Sequence, residues 1–334
     1  MEIGAGRVVV AMADKKENGD LRILGGGEAA TRGLEKGEIV HAGDLAESIA
    51  QAVAKAEESS GLEITKLYFN LDDSRIESAW STGSRLLDGE GEIGPADVRA
   101  AVREAERLAG DFEKKIVYSA EIDYVIDQKD PVADPVGVFG HKLEVKVHLL
   151  LARAGRWDAW RRLVRRAGLP ESAPALSGLS SAFGVLNPEE RRGRRILWDI
   201  GGDYWNGLVM DGGRIREYRT LVCEENGWDS LSGVLPALCQ DFQKKYPGIA
   251  EIALTGESAA DERILLELKN GLECPVRIAA PWGTAKLNDP AHASLAGLLR
   301  LAGDLERKSA MVRPEKSTIA GARQKVRSFF SDYF

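Results

Sequence analysis

The sequence is poor in the residues that build metal and redox sites. Its three cysteines are scattered without CxxC spacing, so we predict free thiols in a reducing compartment and no metal site. No run of about 18 apolar residues is available to span a bilayer, and the strand-like start at Met1 predicts no signal peptide. The net charge of −7 disfavours nucleic acid as a partner.

Alternating strand and helix patterns instead predict an α/β fold. The order strand, strand, helix, strand occurs in both halves of the chain, so we predict two duplicated lobes with a nucleotide site between them. The predicted elements are strands 6–14, 21–24 and 66–71 with helix 45–59, and strands 195–200, 205–211, 214–222 and 251–255 with helix 229–245. Residues 72–150, with strand candidates around helix 95–109, are predicted to form an inserted α+β module.

The predicted helix 156–168 has Trp157 and Trp160 along one side and four arginines on the other. The four are Arg161, Arg162, Arg165 and Arg166. They indicate either a surface for an anionic partner or a solvated face of a packed helix, and the second interpretation is favoured.

A degenerate nucleotide site follows the strand that begins the second half. The strand runs into Asp199, Gly201 and Gly202, the arrangement in which backbone N–H groups approach a phosphate and a carboxylate faces a metal ion. The turn then continues with bulky or acidic residues, and we predict that Asp203, Tyr204 and Trp205 block the site. Two like charges about 5 Å apart repel by roughly 3 kcal/mol at an effective dielectric of 20, so Asp203 would oppose a phosphate.

The C-terminal segment 322–334 predicts an amphipathic helix lying on a membrane, after a flexible linker at 307–321. The predicted membrane-binding residues are Val326, Phe329, Phe330, Tyr333 and Phe334 on the apolar face, with Arg323, Lys325 and Arg327 attracting anionic lipid. The alternative is a terminal helix that packs against the protein's own core.

Several segments, in a consistent order, resemble FtsA, the bacterial actin-like cell-division family, over nearly the whole chain. They are Glu2-Ile3-Gly4, Thr31–Gly37, Asp134–Gly137 with Gly140, Val145–His148, Asp199–Gly202, Leu254–Gly256, Val276–Pro281 and Ala293–Leu299. The resemblance implies an actin-like fold of duplicated ribonuclease-H-like lobes with an inserted 1C-type (SHS2) subdomain. It also implies that nucleotide, if bound, contacts Gly4, Asp199, Gly201, Gly202 and Gly256.

The implied domains are 1–71 (lobe 1), 72–150 (1C), 151–186 (return helices of lobe 1), 187–306 (lobe 2), 307–321 (linker) and 322–334 (membrane helix). The sequence departs from the family at the nucleotide turns, where Ala5, Arg7 and Glu257 replace a hydroxyl residue, a lysine and a glycine. The interval between Cys223 and Glu251 is too short for the family's 2B subdomain, which receives FtsZ. Direct FtsZ binding would therefore need another surface.

The resemblance implies a scaffold and not an enzyme. Such a protein self-assembles on the cytoplasmic face of the cell membrane, binds anionic lipid and recruits division proteins. No cofactor is expected beyond weak binding of ATP with magnesium. Two alternatives stay open: an active ATPase of the same superfamily, and an actin-like platform protein of a type IV pilus or secretion machine.

Overall fold

The computed structural model describes residues 1–169, 171–223 and 231–311. The chain divides into two compact units. The larger contains Met1–Ser74, Trp157–Gly213 and the described chain from Glu217 onward, and the smaller contains Arg75–Arg156 with Arg214–Arg216.

The first lobe of the larger unit is built on a three-stranded sheet in the order β3-β2-β1 and a two-stranded sheet of β6 and β10 beside it. Its strands are β1 (Glu2–Ile3), β2 (Arg7–Lys15), β3 (Leu21–Ala30), β6 (Lys66–Leu71) and β10 (Glu171–Leu176), and a hairpin of β4 (Leu34–Glu35) and β5 (Glu38–Ile39) follows β3. The backbone N–H of Asn70 donates to the Met1 carbonyl at 3.0 Å, which joins the antiparallel β1-β2-β3 to the parallel pair β6-β10. Helix α1 (Ala42–Ser60) contacts β3 and buries its predicted apolar face, including Leu45 and Ile49.

The second lobe repeats this arrangement in the order β13-β12-β11-β14-β15. Its elements are β11 (Arg195–Ile200), β12 (Tyr204–Asp211), β13 (Arg214–Val222), β14 (Glu251–Thr255) and β15 (Val276–Ile278), with helices α6 (Val234–Lys245) and α7 (Glu262–Gly271). The described part of the interval between β13 and β14 contains α6. Three antiparallel strands followed by two parallel ones occur in both lobes, which confirms the duplicated actin-like fold. The repeat opens with β1, however, and not with the predicted strand at 6–14.

The smaller unit is an α+β module with the sheet order β7-β9-β8. Its elements are β7 (Glu77–Glu92), helix α2 (Pro95–Ala109), β8 (Lys114–Ile126) and β9 (Phe139–Arg153). Alternate residues of β9, such as Val145 and Val147, are buried against Ala101 and Ala105 of α2. The alternation of apolar and polar residues in β9 therefore reflects a sheet with one face buried against α2.

Helices α3 (Ala154–Arg166), α4 (Ser177–Val185), α5 (Pro188–Arg192) and α8 (Ala293–Met311) complete the described chain. Since α8 continues through Met311, the first part of the predicted linker at 307–321 is helical. The predicted membrane helix 322–334 lies outside the described residues. None of the helices in the described part of the chain is both long and apolar enough to cross a bilayer.

Helices α4 and α8 cross in backbone contact within the larger unit. Every residue of α4 is buried. A Cβ at Gly297 would lie 1.6 Å from the Ser180 carbonyl oxygen, and one at Gly184 would lie 2.1 Å from the Ala293 carbonyl oxygen. Only glycine permits this approach. Because α4 follows β10 and α8 follows β15, the crossing fixes the spacing of the two lobes.

We expect Gly297→Ala to lower the free energy of unfolding by more than about 2 kcal/mol, because its methyl group would overlap a helix backbone that cannot yield. Gly43→Ala in α1 is the matched control, since the nearest group that its added Cβ would meet in the described part of the chain is the Arg166 guanidinium at 3.9 Å. The control should be neutral or slightly stabilising. Urea unfolding followed by circular dichroism measures both, and equal stability of the two variants would contradict a close crossing.

Candidate functional site

Four carboxylates gather where the equivalent strands of the two lobes end. Glu2 lies in β1 and Asp72 follows β6, whereas Asp199 lies near the end of β11 and Glu257 follows β14 by two residues. The charges of Asp72, Asp199 and Glu257 all act to raise the pKa of Glu2. The duplicated sheets thus bring corresponding acids of the two lobes together at one cleft.

Asp199, the predicted metal-facing carboxylate, is covered on both oxygens. Its Oδ2 accepts a hydrogen bond from the Ser181 hydroxyl at 2.7 Å, and its side chain is 8% exposed. Gly256, at φ +96°, lies so close that a Cβ there would be 2.6 Å from Asp199 Oδ1. This carboxylate is a packed group and not an open ligand for a cation.

The backbone donors that would approach a phosphate are already bonded within the protein. The N–H of Gly4 donates to the Arg7 carbonyl at 2.9 Å, that of Gly201 to the Tyr204 carbonyl at 3.0 Å, and that of Gly256 to the Pro290 carbonyl at 3.1 Å. Gly202 is exposed, and a Cβ there would meet nothing within 4 Å. Phosphate binding would have to compete with three existing hydrogen bonds.

The three predicted blocking residues have different environments. Trp205 is 2% exposed within the hydrophobic core of the second lobe, and its Nε1–H donates to the Gly201 carbonyl, so it does not fill the cleft. Tyr204 contacts the β4-β5 hairpin, where its hydroxyl donates to the Lys36 carbonyl at 2.8 Å. Asp203 accepts a hydrogen bond from the Cys223 N–H through its backbone carbonyl. Trp205 therefore packs in the core of the second lobe, Tyr204 joins the two lobes, and blocking of the nucleotide site by these residues stays a prediction.

An ion pair connects the nucleotide turns of the two lobes. The Arg7 guanidinium lies 3.8 Å from Glu257 and 3.7 Å from Glu28. Arg7 and Glu257 are both replacements noted in the sequence, and here the cation of one turn faces the carboxylate of the other. Both side chains are about half exposed, so the pair contributes at most about 1 kcal/mol. Its orientation still places a protein carboxylate against the cation that could otherwise meet a phosphate.

Sequence reasoning missed a partly buried polar network between the lobes. Asn206 donates through Nδ2 to Asp72 Oδ1 at 2.7 Å, and Ser177 donates to Asp72 Oδ2 at 2.9 Å. Thr220 and Tyr218 donate to Asn206 Oδ1 at 2.9 and 3.2 Å. Because Asp72 and Asn206 are far apart in sequence, no local pattern indicates this contact.

Burial shifts the two carboxylates at the strand ends. It raises the pKa of Glu2 to about 7, and the neighbouring acids add to the shift. It also raises the pKa of Asp199 to about 7, against the opposing hydrogen bond from Ser181. Within the described residues, no group of three His, Cys, Asp or Glu side chains is placed to hold a metal ion.

Comparison with known proteins agrees with this geometry. Residues 73–151 match the family described as the SHS2 domain inserted in FtsA. The structure of a PilM-PilN type IV pilus biogenesis complex aligns over 90% of this chain and 97% of its own chain, with a TM-score of 0.60 and 16% identity. Duplicated lobes carrying an inserted SHS2 subdomain define an actin-like protein.

Within that class the chain is FtsA-like. It is 30% identical to cell division protein FtsA of Pseudomonas aeruginosa over 265 residues, covering 77% of this chain and 63% of that protein. It is 26% identical to FtsA of Escherichia coli strain K12 over 221 residues, covering 66% and 52%. The chain thus spans between about half and two thirds of the length of these relatives.

The raised pKa of Asp199 makes the stability of the larger unit depend on pH. An unfolded aspartate ionises near pH 4 and this folded one near pH 7, so the native state binds more protons between these values. Unfolding free energy then falls as pH rises, by at most about 1.4 kcal/mol per pH unit for this group. We expect Asp199→Asn, which cannot ionise, to gain stability over the parent chain between pH 5 and pH 8.

Urea unfolding at the two pH values measures this difference. Asp14→Asn is the control, because Asp14 is exposed and pairs with Arg22 at 3.1 Å. Its effect on stability should be small and similar at both pH values. An Asp199→Asn effect that does not change with pH would show that the carboxyl ionises normally in the folded protein.

Proposed function

We propose that the chain is a cell-division scaffold that self-assembles on the cytoplasmic face of the membrane and works without bound nucleotide. Similarity to FtsA, including the inserted SHS2 subdomain, supports the division role. The amphipathic pattern of residues 322–334 supports tethering to anionic lipid. Other division proteins are its expected partners, and direct FtsZ binding would require a surface other than 2B.

The occupied hydrogen bonds and the ion pair of the cleft support the nucleotide-independent part of the proposal. The N–H groups of Gly4, Gly201 and Gly256 are bonded to protein carbonyls. The Glu257 carboxylate lies beside the Arg7 guanidinium, which would otherwise be the cation available to a phosphate. In nucleotide-dependent actin-like proteins the ligand would bridge the lobes, whereas here protein groups already do so.

Calorimetry with Mg-ATP tests whether the cleft binds nucleotide. We expect no affinity in the low micromolar range and no phosphate release, because ligand phosphates would meet carboxylates and occupied donors. Glu257→Gly removes one of the two carboxylates beside Arg7 and restores the glycine of the family pattern, so any binding should be tighter in this variant. Low-micromolar affinity of the unmodified chain would favour an active ATPase instead.

Flotation with anionic liposomes tests the membrane tether. We expect the full chain to float and a chain truncated after Ala310 to stay in solution, because the truncation removes the predicted amphipathic helix. Within the full chain, Phe329→Glu with Phe330→Glu should abolish flotation. Ser328→Glu with Ser331→Glu adds the same charge to the predicted polar side and should reduce flotation less. Flotation of the truncated chain as strongly as the full one would contradict a C-terminal tether.

A further inference from the structure

The strongest unassigned surface is the outer face of α3. The inner face of this helix is anchored by four buried side chains: Trp157, Trp160, Leu163 and Val164. Large aromatic anchors fix the rotation of the helix about its axis, so the opposite face has a defined direction. That face consists of exposed arginines, which we call the arginine face: Arg161, Arg162, Arg165 and Arg166.

These arginines differ from others on the surface. Arg85, Arg107 and Arg263 each pair with a nearby carboxylate at 3.3 Å or less. Among the described residues, none of the four side chains of the arginine face has an ion pair or hydrogen bond. The acidic residue of α3, Asp158, is only partly exposed and is engaged in an interaction of its own.

The spacing concentrates positive charge and opposes helix formation. Arg161 and Arg165 are four residues apart, as are Arg162 and Arg166, and like charges at this spacing repel on a helix. The chain as a whole carries a net charge of −7, so the face is a local exception to its electrostatics. The four guanidinium groups have no ion pair among the described residues, so together they can bind anions on this side of the helix.

We propose that the arginine face binds the phosphates of anionic lipid headgroups and is a second membrane contact. Guanidinium groups bind phosphates through paired hydrogen bonds, and the exposed side of one helix presents them as a convex array suited to an extended surface. The proposal rests on the membrane location of the proposed function. Together with the C-terminal segment it would make attachment bivalent, which strengthens binding and fixes which side of the protein faces the lipid.

Sedimentation of the full chain with vesicles tests this proposal. The vesicles contain phosphatidylglycerol and phosphatidylcholine, or phosphatidylcholine alone. We expect Arg162→Ala with Arg166→Ala to weaken binding to the anionic vesicles about thirtyfold at low salt, from the usual contribution of a basic side chain near such a surface. The loss should shrink at high salt, where surface charges are screened. Binding to phosphatidylcholine alone should not change.

The matched control is Arg99→Ala with Arg103→Ala, which removes two exposed arginines at the same spacing on α2. This variant should keep nearly full binding, and Arg162→Lys with Arg166→Lys should keep most of it because the charge remains. Equal losses in the α2 and α3 variants would overturn the proposal, since net charge alone would explain them. Unchanged vesicle binding with lost binding to a poly-glutamate peptide would also overturn it and assign the face to an acidic protein segment.

The two membrane contacts can be distinguished. If truncation after Ala310 has no effect while the α3 variant loses binding, the tether proposal fails and the arginine face stands. If truncation abolishes binding while the α3 variant binds as the full chain does, the tether stands and the arginine face fails.

Discussion

The backbone contact between α4 and α8 is the constraint on which the rest of the larger unit depends. Gly184 and Gly297 let the two helices touch; α4 continues directly from β10 of the first lobe, and α8 comes after β15 of the second lobe along the chain. The spacing of the two sheets follows from this contact. It brings the ends of β1 and β11 near enough for Glu2 and Asp199 to influence each other's ionisation. The character of the cleft is therefore set by packing behind it.

The cleft is closed by protein groups of three kinds. A half-exposed ion pair joins Arg7 to Glu257, and a partly buried amide–carboxylate contact joins Asn206 to Asp72. A tyrosine hydroxyl bonds to the carbonyl of Lys36. The amide–carboxylate contact matters most energetically, since removal of Asp72 would take a hydrogen-bond acceptor from the buried Asn206 side chain. The exposed Arg7–Glu257 ion pair contributes little to stability, but it fixes the orientation of the two side chains.

Much of the architecture could be predicted from the sequence because local periodicity carries it. The helix predicted at 45–59, for example, corresponds to α1 at Ala42–Ser60. The duplicated order was visible as well, although β1 at Glu2–Ile3 is too short to show a pattern of its own. The resemblance to FtsA identified Glu2-Ile3-Gly4 where periodicity could not.

The site was predicted less well because it depends on contacts between distant residues. Tyr204 and Trp205 were treated alike as bulky residues at a turn. Both lie in β12, however, where successive side chains point to opposite faces, so one enters the core and the other contacts the hairpin. The predicted strand 205–211 and its alternation could have indicated this difference from the sequence alone. The pairing of Asp72 with Asn206 joins residues 134 positions apart, and no local pattern indicates it.

The Asn206–Asp72 contact has a consequence for how such a protein could be controlled. In an actin-like subunit that binds nucleotide, hydrolysis acts as a clock, because loss of a phosphate loosens the hinge between the lobes. In the proposed nucleotide-independent scaffold, side chains that no reaction consumes would hold the two lobes together instead. Old and new subunits of a filament of the proposed scaffold would then not differ in nucleotide state. Its growth and shrinkage would be governed by subunit concentration and by the surface on which it lies.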